Sequence, residues 1–500
     1  MKSKRSPLFW LVGCGVLVVG CSCVGLGGMF AVGTLSSVTS VYVPTPRTAA
    51  ADLPGGGLDE PVSPPPTTAG SARKPAATVT GESTARASAA RSTQAVATPV
   101  ASRAVSTPTS RPRSGTRGDS GQQSTVLNQT IGFISDDYVY PDYGGVDLKR
   151  ESARIGGLIS SGLSSEDFHA EMKGLIERLN DHHSVFLTPI EVKDEESRSG
   201  GFGTYVGFGL DLWRSDDNTY AYLTQVLPGS PAAKAGLKQH EHILRVDGKS
   251  VIGSDGRLIN FGGPVGSTAV FSVRSPGGAT REVTVSRATL ENRSRVEARL
   301  LPSAGNRKIG YLYIPGFDGR TISTDTRAGL RDLMNGAGGT LDGLIIDMRN
   351  NGGGDLPVLQ AHLGLFTAGV VGYGIDREGK KTNISCTAET IGNSQSVPLV
   401  ILTGKLTASF GEVFAGALQG SGRAKTVGQA SSGLIEELLP YDFTDGSELL
   451  LAIRTFYLPN GTTWARKGLQ PNIPVSRTWE QVTVEDDEAI SAALVAVGSR

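Results

Sequence analysis

Three short apolar runs, "IGYLYI" from Ile309, "LDGLIIDM" from Leu341 and "VPLVILTG" from Val397, restrict the fold of this chain more than any other feature. Each is about the length of one strand, rich in branched side chains on both faces, and followed by a stretch with helical spacing. Strands that are apolar on both faces must be covered on both sides, and their alternation with helices implies parallel strands joined by crossover helices. The fold class expected is therefore α/β.

The rest of the chain has other textures. Lys2, Lys4 and Arg5 precede an almost uncharged run from Leu8 to about Val38, the order of an export signal or membrane anchor. Val18-Val19-Gly20-Cys21 reads like a lipobox, while the continuation of the apolar run past Cys21 suits a single spanning helix of about 20 residues. Either reading places the downstream chain outside the cytoplasm. Residues 39–122 are dominated by Pro, Ser, Thr, Ala and Gly with almost no aromatic side chains, so they cannot bury enough apolar surface to offset their ordering entropy and read as a disordered spacer.

Residues 123–199 form an expected helical unit, with helix starts at Val146-Asp147 and Ser164-Ser165-Glu166, closing in "NDHHSVFLTPIEV". Residues 200–290 carry short β-rich runs with glycine turns, "TYVGFGLDLW" among them, and one short helix from Pro231 to Leu237. Residues 291–480 hold the α/β part and 481–500 a C-terminal helix or tail. Of four cysteines only Cys386 falls in the folded region, which leaves neither an internal disulfide nor a cysteine metal site there. Formal net charge is zero and no basic patch is dense enough to suggest nucleic acid.

The chemistry gathers in "LTASFGEVFAGALQ". Val397 to Thr403 is a buried-strand run and Gly411 to Gln419 an amphipathic helix, so Ser409 stands at a strand-to-helix junction. There the free N–H groups and dipole of the helix favour developing negative charge, with the N–H of Phe410 as the natural oxyanion donor. The alternative is that Ser409 merely caps the helix. A second strand, "LDGLIIDM", ends in Arg349-Asn350-Asn351-Gly352-Gly353-Gly354, whose N–H groups could also face a ligand; ligands gather at the carboxyl ends of parallel strands.

The order of "LNDHHSVFLTP", "GSPAAKAGL", "ILRVDGKSV", "GLIIDMRNNGGG", "TASFGE" and "KGLQPNIPV" resembles the C-terminal processing, or tail-specific, serine peptidases over roughly Val126 to Val475. The resemblance implies a helical N-terminal unit, a PDZ-like β module and a crotonase-like sheet-and-helix peptidase core, without metal or organic cofactor. It makes Ser409 the nucleophile and Gly353 and Phe410 the oxyanion donors. It also makes Val206, Gly207, Phe208 and Gly209 of "YVGFGL" a carboxylate-binding loop that captures a peptide C-terminus by strand addition.

One departure is large. The family lysine and glutamine positions, 25 and 29 residues after the serine, hold Leu434 and Leu438. Lys405 and Lys425 are near in sequence, Lys405 before the serine on its own strand and Lys425 before the next one. Branches resembling the tricorn core and the nisin-resistance peptidases use a histidine instead, and His183 of "DHHS" lies where that histidine would; His182 is expected to face solvent. An imidazole with an ordinary pKa near 6.5 accepts a serine proton at neutral pH. Lysine-type members also carry a histidine here that does no chemistry, and the acid that tricorn-like enzymes place before "G-x-x-P" is replaced by Arg466 and Lys467. This leaves two readings: an extracytoplasmic, membrane-tethered serine endopeptidase using Ser409 and His183 on polypeptide C-termini, or an inactive peptide-binding scaffold. A hydratase on a similar core is disfavoured by the PDZ-like module.

Overall fold

The computed structural model describes residues 118–193, 204–254, 256–291, 296–319 and 321–498. The expected export segment and nearly all of the expected spacer lie outside the described residues. Among those described, no helix is long and apolar enough to cross a membrane.

The helical unit begins earlier than its expected boundary. Asp119 caps helix α1 (Ser120–Asp137) by accepting from the N–H groups of Gly121 and Gln122 at 2.9 and 3.1 Å, so residues 120–122 are helix rather than spacer. Helices α2 (Leu148–Ser160) and α3 (Ser165–Glu177) start at the expected caps, Asp147 and Ser164. Their apolar faces enclose Ile134, Tyr138, Ile155, Phe168 and Leu175, together with Phe186 of strand β1 (Val185–Leu187) and Leu449 and Leu451 of β18 (Glu448–Tyr457). β1 pairs antiparallel with β18, so the helical unit shares its core with the C-terminal half of the chain.

In the β module the run "TYVGFGLDLW" is broken in two. Gly209, at φ +76°, turns the chain between β2 (Thr204–Gly207) and β3 (Leu210–Arg214). The principal sheet has the order β3, β4 (Ala221–Val226), β5 (His242–Val246), β7 (Thr268–Arg274), β8 (Thr280–Ser286), with β6 (Lys249–Ser250) beside β5; β2 pairs separately with β9 (Ala288–Glu291). Helix α4 (Pro231–Lys234) stops short of the expected Leu237.

The central sheet runs β10 (Glu297–Leu301), β11 (Ile309–Tyr313), β12 (Gly343–Asp347), β15 (Leu399–Thr403), β16 (Lys425–Gly428), β19 (Ile473–Pro474). It is parallel from β11 onward. Leu312, Leu344, Ile346 and Ile401 pack one face against helices α5 (Ile322–Gly336), α6 (Leu356–Gly364) and α7 (Phe410–Gly420). Tyr311, Ile345, Val400 and Leu402 pack the other face against α8 (Glu488–Gly498), so a helix within the expected C-terminal segment covers the sheet.

One further expectation is corrected. α7 is not amphipathic: every residue from Phe410 to Leu418 is buried, because a second sheet lies over it. That sheet is antiparallel, β1, β18, β13 (Gly369–Ile375), β14 (Lys381–Cys386), with β17 (Glu436–Asp442) also on β18. Phe456 of β18 belongs to the same core as Phe414.

Candidate active site

Three loops meet at the carboxyl ends of β12, β15 and β16. The Ala408 N–H donates to the Asn351 carbonyl at 2.9 Å, and the Thr407 hydroxyl donates to the Met348 carbonyl at 2.8 Å, tying the loop after β15 to the loop after β12. The Ser432 hydroxyl reaches back to the carbonyls of Lys405 and Thr407, tying in the loop after β16. Below them Asp347 is braced by Arg349 (2.7 Å) and by the Tyr311 hydroxyl (2.8 Å). Burial opposes charge on Asp347, yet the adjacent guanidinium overrides it and holds the carboxyl below the usual carboxylate range. The strand ends that carry the site are thus fixed from beneath.

Ser409 occupies the N-cap position of α7, but its side chain makes no capping hydrogen bond and its backbone sits at φ 52°, ψ −129°. A serine that only capped the helix would be extended and would accept from the first-turn N–H groups. The observed turn is instead one that L-residues avoid, the kind of local strain kept at functional sites and at sharp strand-to-helix turns that project a nucleophile. The Ser409 N–H donates to the Leu434 carbonyl at 2.6 Å, and the partly exposed hydroxyl lies against Gly353.

The two expected oxyanion donors differ in their present state. Phe410 begins α7, so its N–H is one of the first-turn donors that no helical carbonyl can satisfy. The Gly353 N–H, in contrast, donates to the Asn351 side-chain oxygen at 2.9 Å. Asn351 is itself held by its amide, which donates to the Ile314 carbonyl at 3.1 Å. An oxyanion would therefore share or take over a donor that Asn351 now occupies.

One turn into α7, the fully buried Glu412 accepts from the N–H groups of Gly433 (2.9 Å) and Leu434 (2.8 Å) and from the Ser431 hydroxyl. Burial pushes its carboxyl up to about 7, against the pull of these donors. Glu412 thereby anchors the segment whose Leu434 carbonyl receives the Ser409 N–H.

Leu434 stands in that segment without any basic function, and neither nearby lysine replaces it. Lys405 lies past the end of its strand, not on it, and its ammonium pairs with Asp216 (3.0 Å) and Glu480 (2.9 Å). Burial works against that charge, but the two carboxylates raise the pKa above the ordinary lysine value, the opposite of what a base needs. Lys425 opens β16 and is exposed; in the parallel register it faces Val400, near the amino end of β15, whereas Ser409 follows the carboxyl end.

His183 is held from the other side of this segment. The buried Asp181 accepts from the N–H groups of His183 and Ser184, both at 2.8 Å, fixing the turn that aims the imidazole, while His182 at φ 63° is exposed as expected. The His183 Nδ1 lies 3.5 Å from Oε2 of Glu436, the first residue of β17, two positions beyond Leu434. Ser409 and His183 therefore flank one stretch, residues 434–436, although among the described residues no hydrogen bond joins them directly. Sequence reasoning missed Glu436; its spacing from the serine matches no motif, and only the pairing of β17 with β18 brings it to His183.

In the β module, Val206 is exposed, Gly207 ends β2, Phe208 is buried among Phe261 and Phe271, and Gly209 sits in the turn. The Phe208 and Gly209 carbonyls accept from the N–H groups of Ala232 (3.0 Å) and Leu227 (2.8 Å), which pins the loop to the short helix. β3 is the edge strand of its sheet, so its outer side is open to a further strand.

Comparison with known proteins bears on the fold that carries this site. Residues 308–475 match the family model for peptidase family S41 and residues 195–254 that for the PDZ domain. Carboxyl-terminal-processing peptidase 2, chloroplastic, of Arabidopsis thaliana is 28% identical over 340 residues, 66% of this chain and 64% of that protein. Carboxy-terminal processing protease CtpB of Bacillus subtilis (strain 168) is 27% identical over 314 residues, 61% of this chain and 62% of that protein. The chain thus spans somewhat less than two thirds of the length of these two relatives. Among solved structures, a photosystem II D1 C-terminal processing protease shares the fold with a TM-score of 0.51 at 22% identity, covering 75% of this chain and 97% of that one.

Proposed function

We propose that this chain, a member of peptidase family S41 carrying a PDZ domain, is a serine endopeptidase that recognises polypeptide C-termini and cleaves by acyl transfer outside the cytoplasm. The observation that carries the reading is the uncapped Ser409 at φ 52°, packed against Gly353 at the start of a buried helix.

In this mechanism Ser409 Oγ attacks the scissile carbonyl carbon and its proton passes to His183 Nε2. The oxyanion lies at the Phe410 N–H, with Gly353 as second donor once Asn351 yields it. Collapse breaks the C–N bond as His183 returns the proton to the leaving amine; water then gives a proton to His183 as it attacks the acyl carbon, and the C–O bond to Ser409 breaks as His183 returns that proton to Oγ. The PDZ loop at residues 206–209 binds the substrate carboxylate while the β3 edge accepts its last residues as an added strand. The basic flank and apolar run before residue 39 supply the membrane tether.

The full-length protein should cleave an unfolded protein substrate, and Ser409→Ala and His183→Ala should each lower kcat/KM by about three orders of magnitude or more. His182→Ala should leave it within about twofold. Retention of activity in Ser409→Ala removes the reading, and an unmutated protein that binds C-terminal peptides without cleaving them makes the chain a scaffold.

A further inference from the structure

We propose that Glu436 is the positioning residue of the site: its Oε2 receives the Nδ1–H of His183, which leaves Nε2 as the acceptor for the Ser409 proton. The inference rests on the peptidase reading above and adds a third member that the motifs do not supply.

The geometry singles out this pair. Glu436 is 1% exposed, and His183 Nδ1 and Glu436 Oε2 are both buried without a hydrogen-bond partner among the described residues while lying 3.5 Å from each other. Buried polar atoms are nearly always satisfied, so two complementary ones left facing each other just beyond bonding range require a reason. Catalytic hydrogen bonds are often long in the unliganded enzyme and tighten with substrate. A shift of about half an ångström closes this one.

The surroundings fix which oxygen is available. The Tyr140 hydroxyl donates to Glu436 Oε1 and also lies 3.5 Å from the Thr455 hydroxyl opposite Glu436 in the β17–β18 pairing. Burial and the Glu436 carboxylate push the Tyr140 phenol well above its usual value, so it stays a donor. The guanidinium of Arg466 stacks on the Tyr140 ring at 4.2 Å, and the backbone N–H of Arg466 donates to the Gly433 carbonyl at 2.7 Å. A further charged group at the imidazole turn is Asp181, already engaged by the N–H groups of His183 and Ser184, while Arg466 stands on the Tyr140 ring. A shift in the β17–β18 register occurs at Glu437/Leu438, the type of irregularity that redirects a neighbouring side chain. At residues 466–467, where tricorn-like enzymes place an acid, the chain is a basic turn pressed against Gly433. The acid comes from β17 instead.

A carboxylate in this place does two things: it selects the Nδ1–H tautomer and it stabilises the imidazolium formed when Ser409 is deprotonated. Glu436→Gln should lower kcat by 10²–10⁴-fold with KM nearly unchanged, and shift the acid limb of the kcat/KM profile to lower pH. Glu436→Asp, which keeps the charge but withdraws it, should recover part of kcat. A residue with a purely structural role would move neither the pH limb nor the Gln-versus-Asp difference.

Nitrogen NMR of histidine-labelled full-length protein, with His183 assigned by His183→Ala, tests the pairing without relying on turnover. The neutral imidazole of the unmutated protein should carry its proton on Nδ1 and lose that preference in Glu436→Gln. An Nε2–H tautomer in the unmutated protein overturns the proposal whether or not Glu436→Gln folds. If His183→Ala is inactive while Glu436→Gln keeps full kcat and the same pH limb, Glu436 is not the positioning residue but the peptidase reading stands. If Ser409→Ala or His183→Ala remains active, the peptidase reading itself falls.

Discussion

A methyl group placed on Gly353 would meet the Ser409 Cβ at 2.6 Å and its Oγ at 2.9 Å, so the glycine loop and the serine turn are in direct contact through an absent side chain. Gly353 also sits at φ +102°, where an L-side chain is strained regardless of space. Gly353→Ala should therefore displace Ser409 or Phe410 and lower kcat/KM by about 10²-fold or more. Its neighbour supplies the control: a Cβ on Gly352 meets nothing within 4 Å, so Gly352→Ala should stay within about twofold. Steady-state kinetics on the two variants checks the contrast.

Lys405 gives a second prediction because its position separates docking from catalysis. The ammonium joins Asp216 of the PDZ domain to Glu480, and the Trp479 indole N–H beside it donates to the Leu223 carbonyl of β4 at 3.0 Å. Lys405→Met should weaken this clasp by about 1 kcal/mol, the scale of a partly exposed ion pair. Limited proteolysis between the PDZ domain and the core should accelerate. The alkaline limb of the kcat/KM profile should not move, and loss of all activity would instead make Lys405 the base.

The parts of this architecture written as local pattern were legible in the chain. The strands through Tyr311, Ile345 and Ile401 were visible as double-faced apolar runs, and Asp147 and Ser164 announced their helices, because each signal is confined to a few adjacent residues. The second sheet was not legible: β13, β14, β17 and β18 are ordinary half-buried strands whose only distinction is a long-range partner. α7 misled for the same reason, since nothing in "FGEVFAGAL" says that Phe456 and Trp464 will cover its outer side. Ser409 and His183 could be singled out by motif, whereas Glu436 reaches His183 only through strand pairing. Asn351 holding the Gly353 N–H is likewise invisible in sequence, because it depends on a rotamer.

The PDZ loop yields a third prediction. The Gly209 turn at φ +76° leaves no room for a side chain, a Cβ there approaching the Ser230 Cβ to 2.3 Å. A peptide with a free apolar C-terminus should bind the full-length Ser409→Ala protein, amidation of that terminus should weaken binding, and Gly209→Ala should weaken it about tenfold or more in isothermal titration. Equal affinity for the free and amidated peptides would count against carboxylate capture.

Two buried groups in the peptidase core give stability opposite pH dependences, which makes them separable. His362 is 1% exposed, with Nδ1 donating to the Val358 carbonyl at 2.8 Å and Nε2 accepting from the Thr326 hydroxyl at 3.0 Å, and burial lowers its pKa to about 4. The unfolded chain binds a proton near pH 6.5 that the native state refuses. Its contribution is therefore complete above pH 6.5 and lost as pH falls toward 4, about 3 kcal/mol in all. Glu412 is the reverse. With its native carboxyl raised to about 7, the native state holds a proton that the unfolded chain releases near 4.5, so stability is complete below pH 4.5 and lost as pH rises to about 7, again about 3 kcal/mol. Between pH 4.5 and 6.5 the two slopes oppose each other. Relative to the parent protein, His362→Gln should make stability fall more steeply with rising pH in this window, and Glu412→Gln should make it rise more steeply. Urea unfolding midpoints measured from pH 4.5 to 7 decide it: slopes that change in the same direction in both variants would refute the assignment of at least one buried group.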